Sequence, residues 1–254
     1  MFVFTPAARL LAQSCTATKQ NADYGAVANG TAASAAATIH AVGDLVAFTA
    51  WCYTGCTPTS VTMGSQTAVQ TTVPGVVGGG SPATGQGFIF YILSSTVSGS
   101  QTITFTSTGG ASQTQVSYID FSPSAGCHFS HHVDSALGSC LSNCGNTGNP
   151  GVINAPSITP TAGDLLFVFT WSSEHVNDMN APWSCPIYNM AGETQDCQFN
   201  DTRNVAGYIL SAASGSTANN TTDTHDGDTW QALIAAFSQA SAPNPPTNVS
   251  VTVN

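Results

Sequence analysis

AVGDLVAFTAW, residues 41 to 51, is written a second time with few changes as TAGDLLFVFTW, residues 161 to 171. In both, Gly and Asp make a turn and an apolar run follows, Leu-Val-Ala-Phe in one and Leu-Leu-Phe-Val in the other. A strand covering one core alternates apolar with polar residues. A strand apolar on both faces belongs in mid-sheet, between two covering layers. Trp51 and Trp171 then stand at strand ends, where a large ring plugs the end of a core.

The repetition extends outward. FYILSS (90–95) matches GYILSA (207–212), setting Tyr91 against Tyr208, and VSYIDFS (116–122) matches ALIAAFS (232–238), setting Phe121 against Phe237. Three blocks in one order with a slowly drifting offset are the trace of an internal duplication. Strand signals in the first copy fall near 8–16, 34–40, 44–52, 59–63, 67–73, 87–95, 101–107 and 113–121. In the second they fall near 152–158, 164–172, 204–211, 217–223 and 229–238. Helical periodicity is almost absent. The expected fold is all-β, two tandem jelly-roll-like β-sandwich halves: a first copy over 1–123, a Cys/His-containing connector over 124–151, a second copy over 152–241, and a Pro-rich linker with a C-terminal strand over 242–254.

Paired GDL-initiated strands, each followed by a Tyr-x-x-Ser-type strand (the second copy reads YILSA), resemble a group of secreted bacterial β-sandwich proteins, over roughly residues 8–240. The resemblance implies the fold and transfers no activity. APNPPTNVSVTVN (242–254) is similar to the opening strand of a fibronectin type III module.

Composition narrows the partners. Only 6% of the 254 residues are charged, against roughly 25% in ordinary soluble domains, while 42% are hydrophobic, enough for a proper core. Arg9, Lys19 and Arg203 are the only Lys or Arg residues, and thirteen acidic ones bring the net charge to −10. Such a surface repels phosphate, which argues against nucleic acid and anionic membranes. No apolar run reaches the ~20 residues of a membrane-spanning helix. Eight cysteines point to an oxidising compartment, hence a secreted, extracellular or cell-surface protein. MFVFTPAARLLAQS lacks a basic start and is broken by Pro6, so a removed or omitted leader is expected.

No nucleophile elbow, P-loop or dinucleotide-binding glycine pattern occurs, and the Gly-rich stretch 75–87 reads as a loop between strands. CHFSHHVD (127–134) gathers His128, His131, His132 and Asp134, ligand types for zinc or copper, though at no standard spacing. NNTTDTHDGDTW (219–230) gathers Asp223, Asp226 and Asp228, oxygen ligands suited to calcium in a β-sandwich loop or to a solvated acidic turn. Between Trp183 and Arg203 the second copy carries Trp183, Tyr188, Glu193, Asp196, Asp201 and Arg203, clamped by Cys185 and Cys197. Aromatic faces beside carboxylates and one Arg are what a sugar ring engages; an ordinary disulfide-held loop is the competing reading. Glu174 and Glu193 are the only Glu residues, and nothing in the sequence brings them together as a glycosidase pair.

Expected disulfides are Cys52–Cys56 and Cys185–Cys197, with Cys140–Cys144 leaving Cys15 for Cys127; Cys127 with Cys140 or Cys144 is the rival arrangement. The sequence thus favours a non-enzymatic structural or adhesive protein, with a carbohydrate-binding module second and a secreted hydrolase third. Its tail, PNPPTNVSVTVN (243–254), alternates Val249, Val251 and Val253 with Ser250 and Thr252, as a strand with one buried face does. Such a tail can add to the sheet edge of another copy and build a homopolymer, or serve as a linker.

Overall fold

The computed structural model describes residues 14–53, 56–71, 86–140, 156–172, 198–199, 204–218 and 230–241. They are strands and turns without a helix. In chain order the strands of the first half are β1 (Ala17–Tyr24), β2 (Ala28–Asn29), β3 (Ala32–Ile39), β4 (Leu45–Tyr53), β5 (Cys56–Met63), β6 (Gln66–Thr67), β7 (Val69–Gln70), β8 (Gln86–Ile92), β9 (Gly99–Gly109) and β10 (Gln113–Pro123). The second half has β11 (Cys127–Cys140), β12 (Ser157–Ile158), β13 (Leu165–Ser172), β14 (Gln198–Phe199), β15 (Asn204–Ile209), β16 (Thr217–Ala218) and β17 (Trp230–Ser241).

Sheet I runs β1-β10-β4-β8-β7, with β2 also on β10, and sheet II runs β3-β9-β5-β6. The antiparallel pairs β1–β10, β3–β9, β4–β8 and β5–β6 nest one inside the next, and the chain alternates between the two sheets. That is a long hairpin wrapped into a sandwich, the jelly roll. Sheet III repeats the order of sheet I as β11-β17-β13-β15-β14, and the two-stranded sheet IV pairs β12 with β16. The aligned residues share register as well. Phe121 sits opposite Leu45 as Phe237 sits opposite Leu165, and Tyr91 opposite Ala47 as Tyr208 opposite Phe167.

The GDL turn explains its own spelling. Gly43 and Gly163 hold φ of 98° and 93°, a left-handed conformation that favours Gly. Each N–H donates across to the strand-end loop, to Ser95 O and Ala212 O, both at 2.8 Å. Asp44 and Asp164 then accept the N–H three residues back, of Ala41 and Thr161, both at 2.9 Å. Each therefore closes its own turn with a buried carboxylate.

Both faces of β4 find an apolar layer. Val46, Phe48 and Ala50 face sheet II, meeting Ala35, Ile103 and Phe105. Leu45, Ala47 and Trp51 face sheet III, meeting Leu165, Phe167, Phe169 and Trp171. On β13, Leu166 and Val168 turn away to Ile158 of sheet IV. The order of layers is therefore II, I, III, IV, two sandwiches joined back to back through their larger sheets. Large aliphatic and aromatic side chains each contribute roughly 1.5–3 kcal/mol on full burial, so this interface is a core in its own right. Sheet II alone keeps a strict alternation, reading exposed, buried, exposed, buried along β3.

Two expectations are corrected. Among the described residues the first strand is Ala17–Tyr24; of the expected strand at 8–16, residues 14–16 are coil and 8–13 lie outside the described residues. The β1 sequence is polar because it is an edge strand with much of its length in solvent, so it carries no apolar run. The segment 124–151 is not merely a connector, for Cys127–Cys140 forms β11, the edge strand of sheet III. Its His- and Ser-rich composition hid it for the same reason.

Candidate functional site

Polar groups in the cores gather in two places. The first lies toward one end of the interface between sheets I and III, at the ends of β4 and β13 and the starts of β8, β10, β15 and β17. Trp51 Nε1 donates to Gln115 Oε1 at 2.5 Å, and Asn204 Nδ2 reaches the same oxygen at 3.2 Å from the other half. Gln115 Nε2 donates to Gly25 O at 2.6 Å. Gln231 stands opposite Trp171 as Gln115 stands opposite Trp51. Its Oε1 crosses instead to the Gly87 N–H, at 2.5 Å. The two indoles lie 6.4 Å apart and tilted by 38°, and Trp171 Nε1 is buried with no hydrogen-bond partner among the described residues. The tryptophans and glutamines are thus sealed from ligand.

The second cluster lies at the end of the first sandwich. Asp44 and Asp120 are both buried, at 2% and 0% exposure. The N–H of His40 donates to Asp120 Oδ2 at 2.7 Å, and Ser122 Oγ donates to Asp44 Oδ1 at 2.7 Å. Burial, then the neighbouring Asp44 charge, pushes the Asp120 carboxyl up to about 7, against the opposing pull of the His40 N–H. Its Oδ1 has no hydrogen-bond partner among the described residues. Half-buried Lys19 is pushed below its ordinary value by burial, while the Asp120 charge works the other way.

Ser122, His40 and Asp44 are the residue types of a hydrolase triad, but not in its arrangement. His40 Nδ1 lies 3.0 Å from Ser122 Oγ and 3.4 Å from Asp44 Oδ2, so one ring nitrogen faces both groups. A triad divides them between two nitrogens, so that the base can take the serine proton while the acid orients the ring. Here the serine donates straight to the carboxylate. The cluster can hold a proton between buried acids; it does not present a nucleophile.

In the second half Ala236 occupies the register position of Asp120, opposite Leu166 as Asp120 is opposite Val46. Asp164 pairs instead with His132, whose Nδ1 lies 2.6 Å from Asp164 Oδ2. A shift of register between His131 and Val133 separates His132 from its neighbour. His131 stacks on Tyr91 with ring centres 5.2 Å apart and planes within 5°. Its Nε2 is 3.0 Å from Asp134 Oδ2, at ion-pair distance but without hydrogen-bond alignment. Burial raises the Tyr91 hydroxyl above its usual range, helped by the charge of Asp134.

The expected transition-metal set therefore does not assemble: His128 is exposed, His131 packs on Tyr91, and His132 binds Asp164. Among the described residues no three His, Cys, Asp or Glu side chains converge so as to hold a metal. The expected ligand-binding residues Trp183, Tyr188, Glu193, Asp196, Asp201 and Arg203, and the calcium set Asp223, Asp226 and Asp228, lie outside the described residues. Among the described residues two disulfides are present, Cys15–Cys127 and Cys52–Cys56, as expected from the sequence. The Cys185–Cys197 pair and the Cys140–Cys144 bond lie outside the described side chains. Among the described residues no helix is long and apolar enough to cross a membrane.

The acid pair was not anticipated. Its signal was Asp120 itself, a carboxylate set in the apolar run VSYIDFS. No protein-family model, curated protein or solved structure matches the chain.

Proposed function

We propose that this chain is an extracellular structural module that associates with copies of itself, its halves descended from one duplicated jelly roll. The observation that carries the reading is the mutual burial of sheets I and III. The broad sheet faces on which a jelly roll could seat a ligand are spent on each other, with Trp51 and Trp171 fully enclosed. A four-layer body whose sheet II turns Ser34, Thr102, Thr104 and Thr106 outward suits a building unit. Two disulfides agree with residence in an oxidising compartment.

Electron microscopy and sedimentation velocity of the oxidised full-length protein test this. Ordered polymers or discrete oligomers that grow with concentration are the expected result; a strict monomer at high concentration contradicts it.

A carbohydrate-binding module is the second reading, favoured by the aromatic and acidic residues between Trp183 and Arg203. Glycan pull-down with a Trp183→Ala control decides it: binding that Trp183→Ala abolishes favours that reading, and no glycan retained excludes it.

A further inference from the structure

The outer edge of β3 has an unused stretch of main chain. β3 pairs with β9 without interruption from Ala32↔Thr106 to Ile39↔Gly99. In an antiparallel pair, alternate residues point both N–H and C=O at the partner, and those between point both away. Parity is fixed at both ends. Ser107 N donates to Thr31 O, so the odd-numbered residues face β9. The even ones face outward. Thr38 N donates to the Tyr118 hydroxyl at 2.9 Å, and that hydroxyl lies 3.3 Å from Thr38 O. The next outward amide, of His40, is taken by Asp120.

Sheet I thus caps the edge at Thr38 and His40. By the same parity Ala32, Ser34 and Ala36 point their amides and carbonyls outward, and among the described residues nothing pairs with them. Natural edges are guarded by Lys, Pro, a bulge or a very short strand. ASAAATI carries no charge and no Pro, and its register is unbroken.

Resting on the self-association reading, we propose that the Ala32–Ala36 edge is the acceptor for residues 247–254 of a second copy, TNVSVTVN. The segment fits on three counts. It has no charged side chain to bring against the neutral edge; it can match three outward residues with three of its own; and Val249, Val251 and Val253 fall on one face, extending the inward row Ala33, Ala35, Ala37. Three prolines, Pro243, Pro245 and Pro246, precede the segment, and Pro-rich linkers favour extended conformations that give reach. Main-chain bonds supply the affinity and alternate side chains the selectivity.

The experiment uses full-length protein and a fluorescent synthetic peptide of residues 243–254. Ser34→Pro removes an outward donor and leaves the β9 pairing intact, since an edge strand tolerates Pro where its N–H faces solvent. Ala36→Lys, a milder edge guard, serves if Pro disturbs folding. Val251→Asp spoils the tail and leaves the edge whole. We expect wild type to assemble and to bind the peptide, both edge variants to bind it at least tenfold more weakly and stay monomeric, and Val251→Asp to stay monomeric yet bind peptide like wild type. Edge variants that bind peptide as wild type does overturn this acceptor while self-association stands. Wild type that neither assembles nor binds peptide overturns both.

Discussion

Gln231 of the second half accepts the main-chain N–H of Gly87 in the first at 2.5 Å, a bond that ties the two inner sheets near one end. Gly87 has no room to change. A Cβ there would lie 2.9 Å from Phe169 Cε1 and 3.1 Å from Trp171 Cβ. We expect Gly87→Ala to destabilise the protein by about 1–3 kcal/mol through overpacking. Gln231→Ala, which leaves a buried amide unpaired, should cost a similar ~1–3 kcal/mol. Urea denaturation of the two variants checks both values, and an unchanged midpoint for Gly87→Ala would show that the halves do not meet there.

The two tryptophans should respond differently to loss of the indole N–H. Trp51 donates to Gln115, whereas Trp171 Nε1 has no partner among the described residues. Both lose similar packing on substitution by Phe, so we expect Trp51→Phe to cost about 1 kcal/mol more than Trp171→Phe. Equal losses would mean that the Trp51–Gln115 bond contributes nothing to stability.

Asp120 makes stability depend on pH in a defined sense. Its carboxyl is raised from 3.8 to about 7, so between those values the folded protein keeps a proton that the unfolded chain has released. The contribution is full below pH ~4 and is lost as pH rises through ~7, at up to roughly 1.4 kcal/mol per unit. Asp120→Asn mimics the protonated acid and removes this slope. Unfolding free energies from pH 4 to 8.5 should show the variant gaining on wild type as pH rises; parallel profiles would clear Asp120 of the effect.

The disulfides should differ in weight. Cys15–Cys127 closes a sequence separation of 112 and Cys52–Cys56 one of 4. On chain entropy alone these are worth about 5 and about 2 kcal/mol. Cys15→Ser with Cys127→Ser should therefore lower the melting temperature more than Cys52→Ser with Cys56→Ser, as calorimetry would register.

What the sequence disclosed was set by burial. β4 and β13 are apolar on both faces because each is covered twice, and that pattern led directly to the middle of a stack. β1 and β11 escaped because edge strands in part solvent have no apolar period to read. The turn meaning of Gly43 and Asp44 was legible, whereas the meeting of Asp44 with Asp120 was not, since it depends on a sheet register across many residues. The tryptophans were expected at strand ends, plugging the end of a core, and the core they close is one that both halves share. Nothing in either copy alone announces that its inner face is reserved for the other.

The back-to-back joining also bears on how the chain can change over generations. The three pairs of similar sequence blocks lie on β4 and β13, β8 and β15, and β10 and β17, the strands that line the common core. A substitution there must be tolerated by a surface encoded more than a hundred codons away, so drift on one side is checked by the other. The outer sheets answer to no such counterpart. Asp120 in one half and Ala236 in the other differ on a face turned away from the shared core. A residue on the seam must therefore satisfy two halves at once, and a residue on an outward layer only its own.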